Sequence, residues 1–145
     1  MHRLFVAALA LCGPFISGSL ALAQERTPSP PGAEVYIISP KNGATVHSPF
    51  KVQFGLTKEM GIAPAGVKFD NTGHHHLLID TDPPANLSAP LPATDKIVHF
   101  GKGQTETTLT LPPGKHTLQL VLGDMNHIPH QPPVISKKIT ITVAP

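Results

Sequence analysis

Cysteine is nearly absent from this 145-residue chain, which has a single one, Cys12. This residue lies in an N-terminal segment that is predicted to be removed. The mature protein is then expected to have no disulfide, no thiolate metal ligand and no cysteine nucleophile. Lipidation of Cys12 after cleavage is the disfavoured alternative, because Leu11 is larger than the residue that usually precedes such a cleavage.

The N-terminal segment has the three parts of a secretory signal peptide. Arg3 supplies the positive charge, residues 4–11 form an apolar run, and residues 21–23 (ALA) have the small-x-small cleavage pattern. We therefore expect residues 1–23 to be a signal peptide and the protein to be periplasmic or secreted. The apolar run is too short to span a membrane, so no span is expected after cleavage.

Tryptophan and blocks of like charge are also missing. After cleavage ten basic and nine acidic residues remain, spread along the chain. Without a basic patch to follow phosphates, nucleic acid is not an expected partner. The sequence has no HExxH, no nucleophile elbow and no Gly-rich phosphate loop, so the protein is not predicted to be an enzyme.

No window has helical periodicity, whereas turn residues are abundant, with 17 prolines and 12 glycines. Short β-branched stretches lie between them, and residues 50–56 alternate apolar and polar side chains as a half-buried strand does. Seven to eight such strands predict a single immunoglobulin-like antiparallel β-sandwich over residues 34–145. Residues 24–33, which are polar and Pro-rich, are expected to be an extended, mobile linker.

Three further predictions concern less regular parts of the chain. Residues 67–70 are predicted to form a short strand, and residues 134–143 the closing strand. Residues 81–94, with four prolines, are expected to be a long loop over one end or edge of the sheet.

Histidine is in excess, because eight of the nine remain after cleavage, and imidazole is the commonest metal ligand in proteins. Three are consecutive in residues 73–80 (GHHHLLID), which are predicted to be a strand. Because side chains alternate along a strand, His75 would share the core face with the apolar residues that follow. His74 and His76 would then lie together on the other face. The opposite assignment, with His75 as the ligand, stays open.

A second pair, His127 and His130, lies in a Pro-containing loop much later in the chain. If the fold brings the two groups together, His74, His76, His127 and His130 form a metal site. An all-nitrogen set without thiolate suits a transition metal, with copper or zinc first. Additional candidates, either as ligands or as residues that orient them, are His75, Asp80, Asp124 and Met125.

The remaining histidines are isolated from these groups. His116 is in phase with the apolar residues of its strand and is predicted to be bonded to backbone at the edge of the core. His47 and His99 lie singly on short strands, where a structural role is expected for each.

Three functions are compatible with these features. The favoured one is a binding module for a metal ion, and the second is a structural or protein-interaction module of the envelope without a metal. The third is a small zinc hydrolase, which would need an open position on the metal to activate water. A monomer is expected, with a metal ion or an envelope protein as partner. The histidines are also compatible with a pH switch.

Residues 73–80 (GHHHLLID) and 111–124 (LPPGKHTLQLVLGD), with the histidine loop and Pro-Pro-Val that follow, resemble a bacterial exported family, the domain of unknown function 4399. The resemblance extends over residues 35–143 and implies an exported domain without an assigned activity. It places these residues at the family's motif positions: His74, His75, His76, Asp80, Gly114, His116, Asp124, His127 and His130.

Overall fold

The computed structural model describes residues 25–145, and within that range it contains nine β-strands and no helix. The predicted all-β class is confirmed, while the immunoglobulin-like arrangement stays a prediction. The strands are β1 (Val35–Ser39), β2 (Thr45–Val46), β3 (Phe50–Leu56), β4 (Gly61–Ile62), β5 (Thr72–Ile79), β6 (Ile97–His99), β7 (Glu106–Leu109), β8 (Gly114–Gly123) and β9 (Ile139–Val143).

The strands form two sheets that pack as a sandwich. The smaller sheet has the order β1-β3-β7, and the larger has the order β2-β9-β8-β5-β4, with β6 also paired to β5. Most neighbours are antiparallel, as predicted, but β2 and β9 are parallel, and so are β4 and β5. Strand β5, which carries the three histidines, is therefore enclosed by strands on both sides.

The main core lies between the sheets and follows the period-two alternation of the sequence. Leu118, Leu120 and Leu122 on β8 are fully buried there, together with Val52 of β3 and Leu77 of β5. Burying a side chain of this size contributes roughly 1.5–3 kcal/mol. The predicted core face of β5 is confirmed, because Leu77 and Ile79 belong to this cluster.

A second apolar cluster covers the outer face of the larger sheet. It consists of Leu78, Leu91, Ile97 and Val121. Leu91 belongs to the long loop predicted over residues 81–94, and its N–H donates to the His127 carbonyl at 2.9 Å. This loop lies over a face of the sheet and not only over an end or edge, so both faces of β5 are buried.

Two strand predictions are corrected. Residues 67–70 form a loop, and the short strand of this region is β4, which pairs with the first residues of β5. Strand β9 begins at Ile139, because residues 134–138 form only an isolated bridge between Ile135 and Val121.

The Pro-rich segment that precedes β1 is extended but hydrogen-bonded to the domain. The Gln131 N–H donates to the Thr27 carbonyl at 2.9 Å, and the Ser29 N–H donates to the Gln131 carbonyl at 3.0 Å. The expected mobile linker is thus attached to the second histidine loop. The predicted signal peptide, residues 1–23, lies outside the described residues. Within residues 25–145 no helix is long and apolar enough to cross a membrane.

A charged hydrogen bond joins the end of β5 to β8. His116 donates through Nδ1 to the Asp80 carboxylate at 2.7 Å and through Nε2 to the Pro112 carbonyl at 2.8 Å. Because both partners are acceptors, the ring makes both bonds only when it is protonated, and the bond to Asp80 raises the pKa of His116. Burial raises the pKa of Asp80, but the bonds from His116 and from the Thr117 N–H outweigh it and lower that pKa.

We expect Asp80→Asn to destabilise the protein by about 1 kcal/mol near pH 5.5 and by less near pH 8.5. The raised pKa of His116 stabilises the fold below the pKa of an unfolded histidine, about 6.5, and this is lost as pH rises through the folded pKa. Asparagine keeps the acceptor for Thr117 and tolerates the positive φ of residue 80, 54°.

Urea unfolding of the wild type and the variant at both pH values measures this difference. Asp82→Asn is the control, because Asp82 is an exposed carboxylate that pairs only with Lys138 among the described residues. An equal loss of stability at both pH values in Asp80→Asn would contradict the account of His116.

Candidate metal centre

Four imidazoles meet at the outer face of the larger sheet. His74 and His76 come from β5, His99 from the end of β6, and His127 from the loop after β8. Each ring offers a nitrogen, and these four nitrogens all lie within 4.8 Å of one another. We call this set the four-histidine cluster.

Strand register places three members of the four-histidine cluster. His74 and His76 project from the same face of β5 because they are two residues apart. His99 lies directly opposite His76 in the antiparallel pair of β6 and β5. Side chains that are directly opposite in such a pair lie close together, so the pairing brings the His99 ring to within 5.2 Å of the His76 ring, between centroids.

The fourth member, His127, depends on a tight loop. Its φ is 65°, a left-handed conformation that non-glycine residues seldom adopt. Asp124 stabilises the loop by accepting hydrogen bonds at Oδ1 from the Asn126 N–H at 2.9 Å and the Ile128 N–H at 3.0 Å. The Nδ1 of His127 then lies 3.1 Å from Nε2 of His74.

The Pro-rich segment that precedes β1 supports the same loop from outside. Thr27 donates through Oγ1 to Oδ2 of Asp124 at 2.6 Å, and Arg26 donates through Nε to the Pro129 carbonyl at 2.9 Å. The Arg26 guanidinium also bonds to the His130 carbonyl and the Gln131 side chain. Residues 26 and 27 therefore help to hold the loop that carries His127.

Thr27→Val is expected to destabilise the protein by about 1–2 kcal/mol, because it leaves the buried carboxylate of Asp124 without one donor while the volume is nearly unchanged. Urea unfolding measures the loss. Ser29→Ala is the control, since it removes a hydroxyl that donates to the Pro132 carbonyl at the exposed end of the loop. Equal effects of the two substitutions would contradict the support assigned to Thr27.

Burial favours the uncharged form of His74, His76 and His99. Desolvation, and next the neighbouring imidazoles, lower the pKa of His74 to about 4 and that of His76 to about 3. Desolvation and then His127 also lower the pKa of His99. Neutral imidazole is the form that ligates metals, so near neutral pH these rings have lone pairs available.

Several ring nitrogens of the cluster have no hydrogen-bond partner among the described residues. They are Nδ1 of His74, both nitrogens of His76 and Nε2 of His99. A buried polar atom without a partner costs roughly 1–3 kcal/mol. Four such atoms lie together in a cluster that could hold a metal ion.

The predicted ligands are only partly brought together. His74, His76 and His127 meet, and His99 joins them, although a structural role was predicted for His99. His130 lies apart from the cluster, fully buried, with its Nε2 donating to the Thr72 carbonyl at 3.0 Å. The sequence shows only that His99 and Ile97, two residues apart, share one strand face; the structure places that face on the outer side, where Ile97 belongs to the outer apolar cluster.

The additional candidates predicted from the sequence do not belong to the four-histidine cluster. His75 faces the main core, where its ring packs against Phe54 at 5.0 Å between centroids. Asp80 lies at the far end of β5 and orients His116, and Asp124 shapes the loop through backbone bonds. Met125 is half-buried and lines a cavity of about 310 Å³ together with Phe69.

A comparison with protein families found one match. The model of the domain of unknown function DUF4399 matches residues 52–144, which include β5, β6, β8, β9 and all four histidines of the cluster. No curated protein matches the chain, and no solved structure does.

Proposed function

This chain belongs to the DUF4399 family, whose function is unknown, and we propose from its site that it is a periplasmic module that binds one transition-metal ion, copper or zinc, in the four-histidine cluster. In this proposal His74, His76, His99 and His127 are the ligands. Asp124 positions His127 through the loop.

The observation that carries the proposal is the group of unpartnered nitrogens. A bound cation would accept one lone pair from each ring and remove part of a cost that the metal-free fold bears. Imidazole nitrogens around one ion at about 2.0–2.1 Å are separated by roughly 2.8–4.2 Å in tetrahedral or square-planar geometry. The nitrogens of the cluster lie within 4.8 Å of one another, so a small contraction suffices.

The donor set supports copper or zinc above other ions. Four imidazoles, with no carboxylate and no thiolate among them, match the preference of Cu(II) and Zn(II) for nitrogen. At a site of given geometry Cu(II) binds more tightly than Zn(II) in the general order of divalent metals. We therefore expect the higher affinity for copper.

Four protein ligands support binding rather than catalysis. Catalytic zinc sites usually hold three protein ligands and leave a fourth position for water, whereas structural sites are closed. His74 and His76 are buried and His99 and His127 half-buried, so the ion would enter between the latter two. A zinc hydrolase is the less supported function.

The periplasm is proposed from the signal-peptide pattern of residues 1–23. The donor set agrees with it, because a site without thiolates does not depend on a reducing environment. Cell fractionation, followed by mass determination of the mature N-terminus, tests this part. Full-length protein in the cytoplasmic fraction would contradict it.

Calorimetric titration of the tag-free mature protein with Cu(II) and Zn(II) tests the binding proposal. We expect one ion per chain, and a loss of roughly 100-fold or more in affinity in His99→Ala, equivalent to about 2.7 kcal/mol. His47→Ala is the matched control, because it removes an exposed histidine away from the cluster. No saturable binding, or an equal loss in His47→Ala, would overturn the proposal and favour a protein-interaction module.

A further inference from the structure

Two glycines border the four-histidine cluster at places where a larger residue would touch the rings. A Cβ atom built on Gly101 would lie 2.2 Å from Cε1 and 2.5 Å from Nε2 of His99. A Cβ atom on Gly123 would lie 2.6 Å from Cε1 and 3.1 Å from Nδ1 of His76. Both rings therefore occupy the space that any other side chain would fill.

The backbone does not require glycine at either position. Five other glycines have positive φ values between 79° and 130°, a region that L-residues rarely adopt, but Gly101 and Gly123 do not belong to this group. Alanine could adopt their backbone conformations without strain. The physical reason for glycine at these two positions is the space that it leaves for an imidazole.

Strand pairing accounts for the position of Gly123. In the register of β5 and β8, His74 lies opposite Gly123 and His76 lies opposite Val121. Gly123 lies two residues after Val121, on the same face of β8, and has no side chain. The His76 ring therefore extends over the backbone of β8 at this position. The His127 carbonyl carbon also lies 3.3 Å from the Cβ position of Gly123, so this glycine contacts two members of the cluster.

We infer that Gly101 and Gly123 are positioning residues of the four-histidine cluster, and that they fix the directions of the His99 and His76 rings by leaving them room. This inference rests on the proposed metal site. It adds that the geometry of the site also depends on two residues that have no side chain and do not touch the ion.

The two glycines differ in what would move after substitution. The atoms nearest to Gly101 belong to the outer end of the half-buried His99 side chain, which can rotate towards solvent. Gly101→Ala should therefore displace one ligand at little cost in stability. The His76 ring is buried and the His127 backbone is close, so Gly123→Ala should reduce both metal affinity and stability.

The test compares Gly101→Ala and Gly123→Ala with two control glycines. Gly61 lies on β4, next to β5, and a Cβ atom there would make only an ordinary contact with Thr72, at 3.5 Å. A Cβ on Gly55 would lie 2.2 Å from the ring of Tyr36, a clash of the same severity on the other sheet. Copper affinity, urea unfolding and the imidazole nitrogen resonances of the metal-free protein are measured for each variant.

We expect Gly101→Ala to weaken copper binding by at least roughly tenfold, with a loss of stability no larger than that of Gly55→Ala. The two controls should keep wild-type affinity within about twofold. In a His99→Ala background, Gly101→Ala should cause no further loss of affinity, because the displaced ring is already gone. Unchanged affinity in Gly101→Ala, or an equal loss in Gly55→Ala, would overturn the inference.

The resonances of the metal-free protein separate this inference from the proposed function. Gly101→Ala should shift the ring nitrogens of His99, and Gly123→Ala those of His76, while the ring of His116 stays unchanged in both. If the wild type binds no copper but these shifts occur, the metal proposal fails and the positioning inference holds. Unshifted rings in both variants would overturn the inference whether or not copper binds.

Discussion

Saturating copper or zinc is expected to raise the midpoint of thermal unfolding by roughly 10–20 °C. A ligand that binds only the folded state at about 1,000 times its dissociation constant stabilises that state by about 4 kcal/mol. For a domain of this size, each kcal/mol corresponds to roughly 3–5 °C. The physical source is the buried rings of His74, His76 and His99, each of which gives one lone pair to the ion.

Differential scanning calorimetry of the metal-free and metal-loaded protein measures this shift. A chelator added after loading should restore the midpoint of the metal-free protein. His47→Ala should keep the full shift, because its side chain is exposed and apart from the cluster. A shift below about 2 °C at saturation would mean that the ion binds the unfolded chain almost as well.

His76→Leu is expected to stabilise the metal-free protein by about 1–2 kcal/mol and to remove metal binding. His76 is 1% exposed, and neither of its ring nitrogens has a partner among residues 25–145. Leucine has a similar volume and no polar atom, so it removes the cost of burying an imidazole. The same change removes a ligand at the centre of the cluster. Stability and function should therefore move in opposite directions.

His75→Leu provides the matched control for this prediction. His75 is also 1% exposed and has two unpartnered nitrogens, but it faces Phe54 on the opposite side of β5. We expect a similar gain in stability with metal affinity retained. Urea unfolding without metal and copper titration are done on both variants. Loss of copper binding in His75→Leu, or its retention in His76→Leu, would contradict the assignment of ligands to the outer face.

Local periodicity was sufficient to predict most of the strands, though not β4 or the start of β9, and the face of β5 that carries the pair His74 and His76. Alternation is a property of the backbone and can be recognised within a few residues. The same reasoning identified Leu77 and Ile79 as core residues, and the structure buries both in the main core. The all-β class followed from the same local signals.

Members of the site that come from distant parts of the chain could not be predicted in the same way. His99 joins the cluster through the register between β6 and β5, and a slip of one residue would turn it to the other face. His130 is directed away by the conformation of its loop, which depends on Asp124, Arg26 and Thr27. The contacts of Arg26 and Thr27 with this loop link residues about 100 positions apart, and no local pattern encodes them.

The role of the two glycines could not be predicted from the sequence either. Gly101 and Gly123 have no distinguishing neighbours in the sequence, and their importance appears only when the rings of His99 and His76 are placed beside them. The attachment of residues 26–29 is similar, because a Pro-rich composition predicts an extended shape but not the surface on which the segment lies.

The most direct test of the metal site is anomalous X-ray diffraction from crystals of the copper- or zinc-loaded protein, recorded on both sides of the metal absorption edge. The account predicts one strong anomalous peak per chain, surrounded by nitrogens of His74, His76, His99 and His127 at about 2.0–2.1 Å. A principal peak beside His130 or His116, or no peak among these four rings, would contradict it.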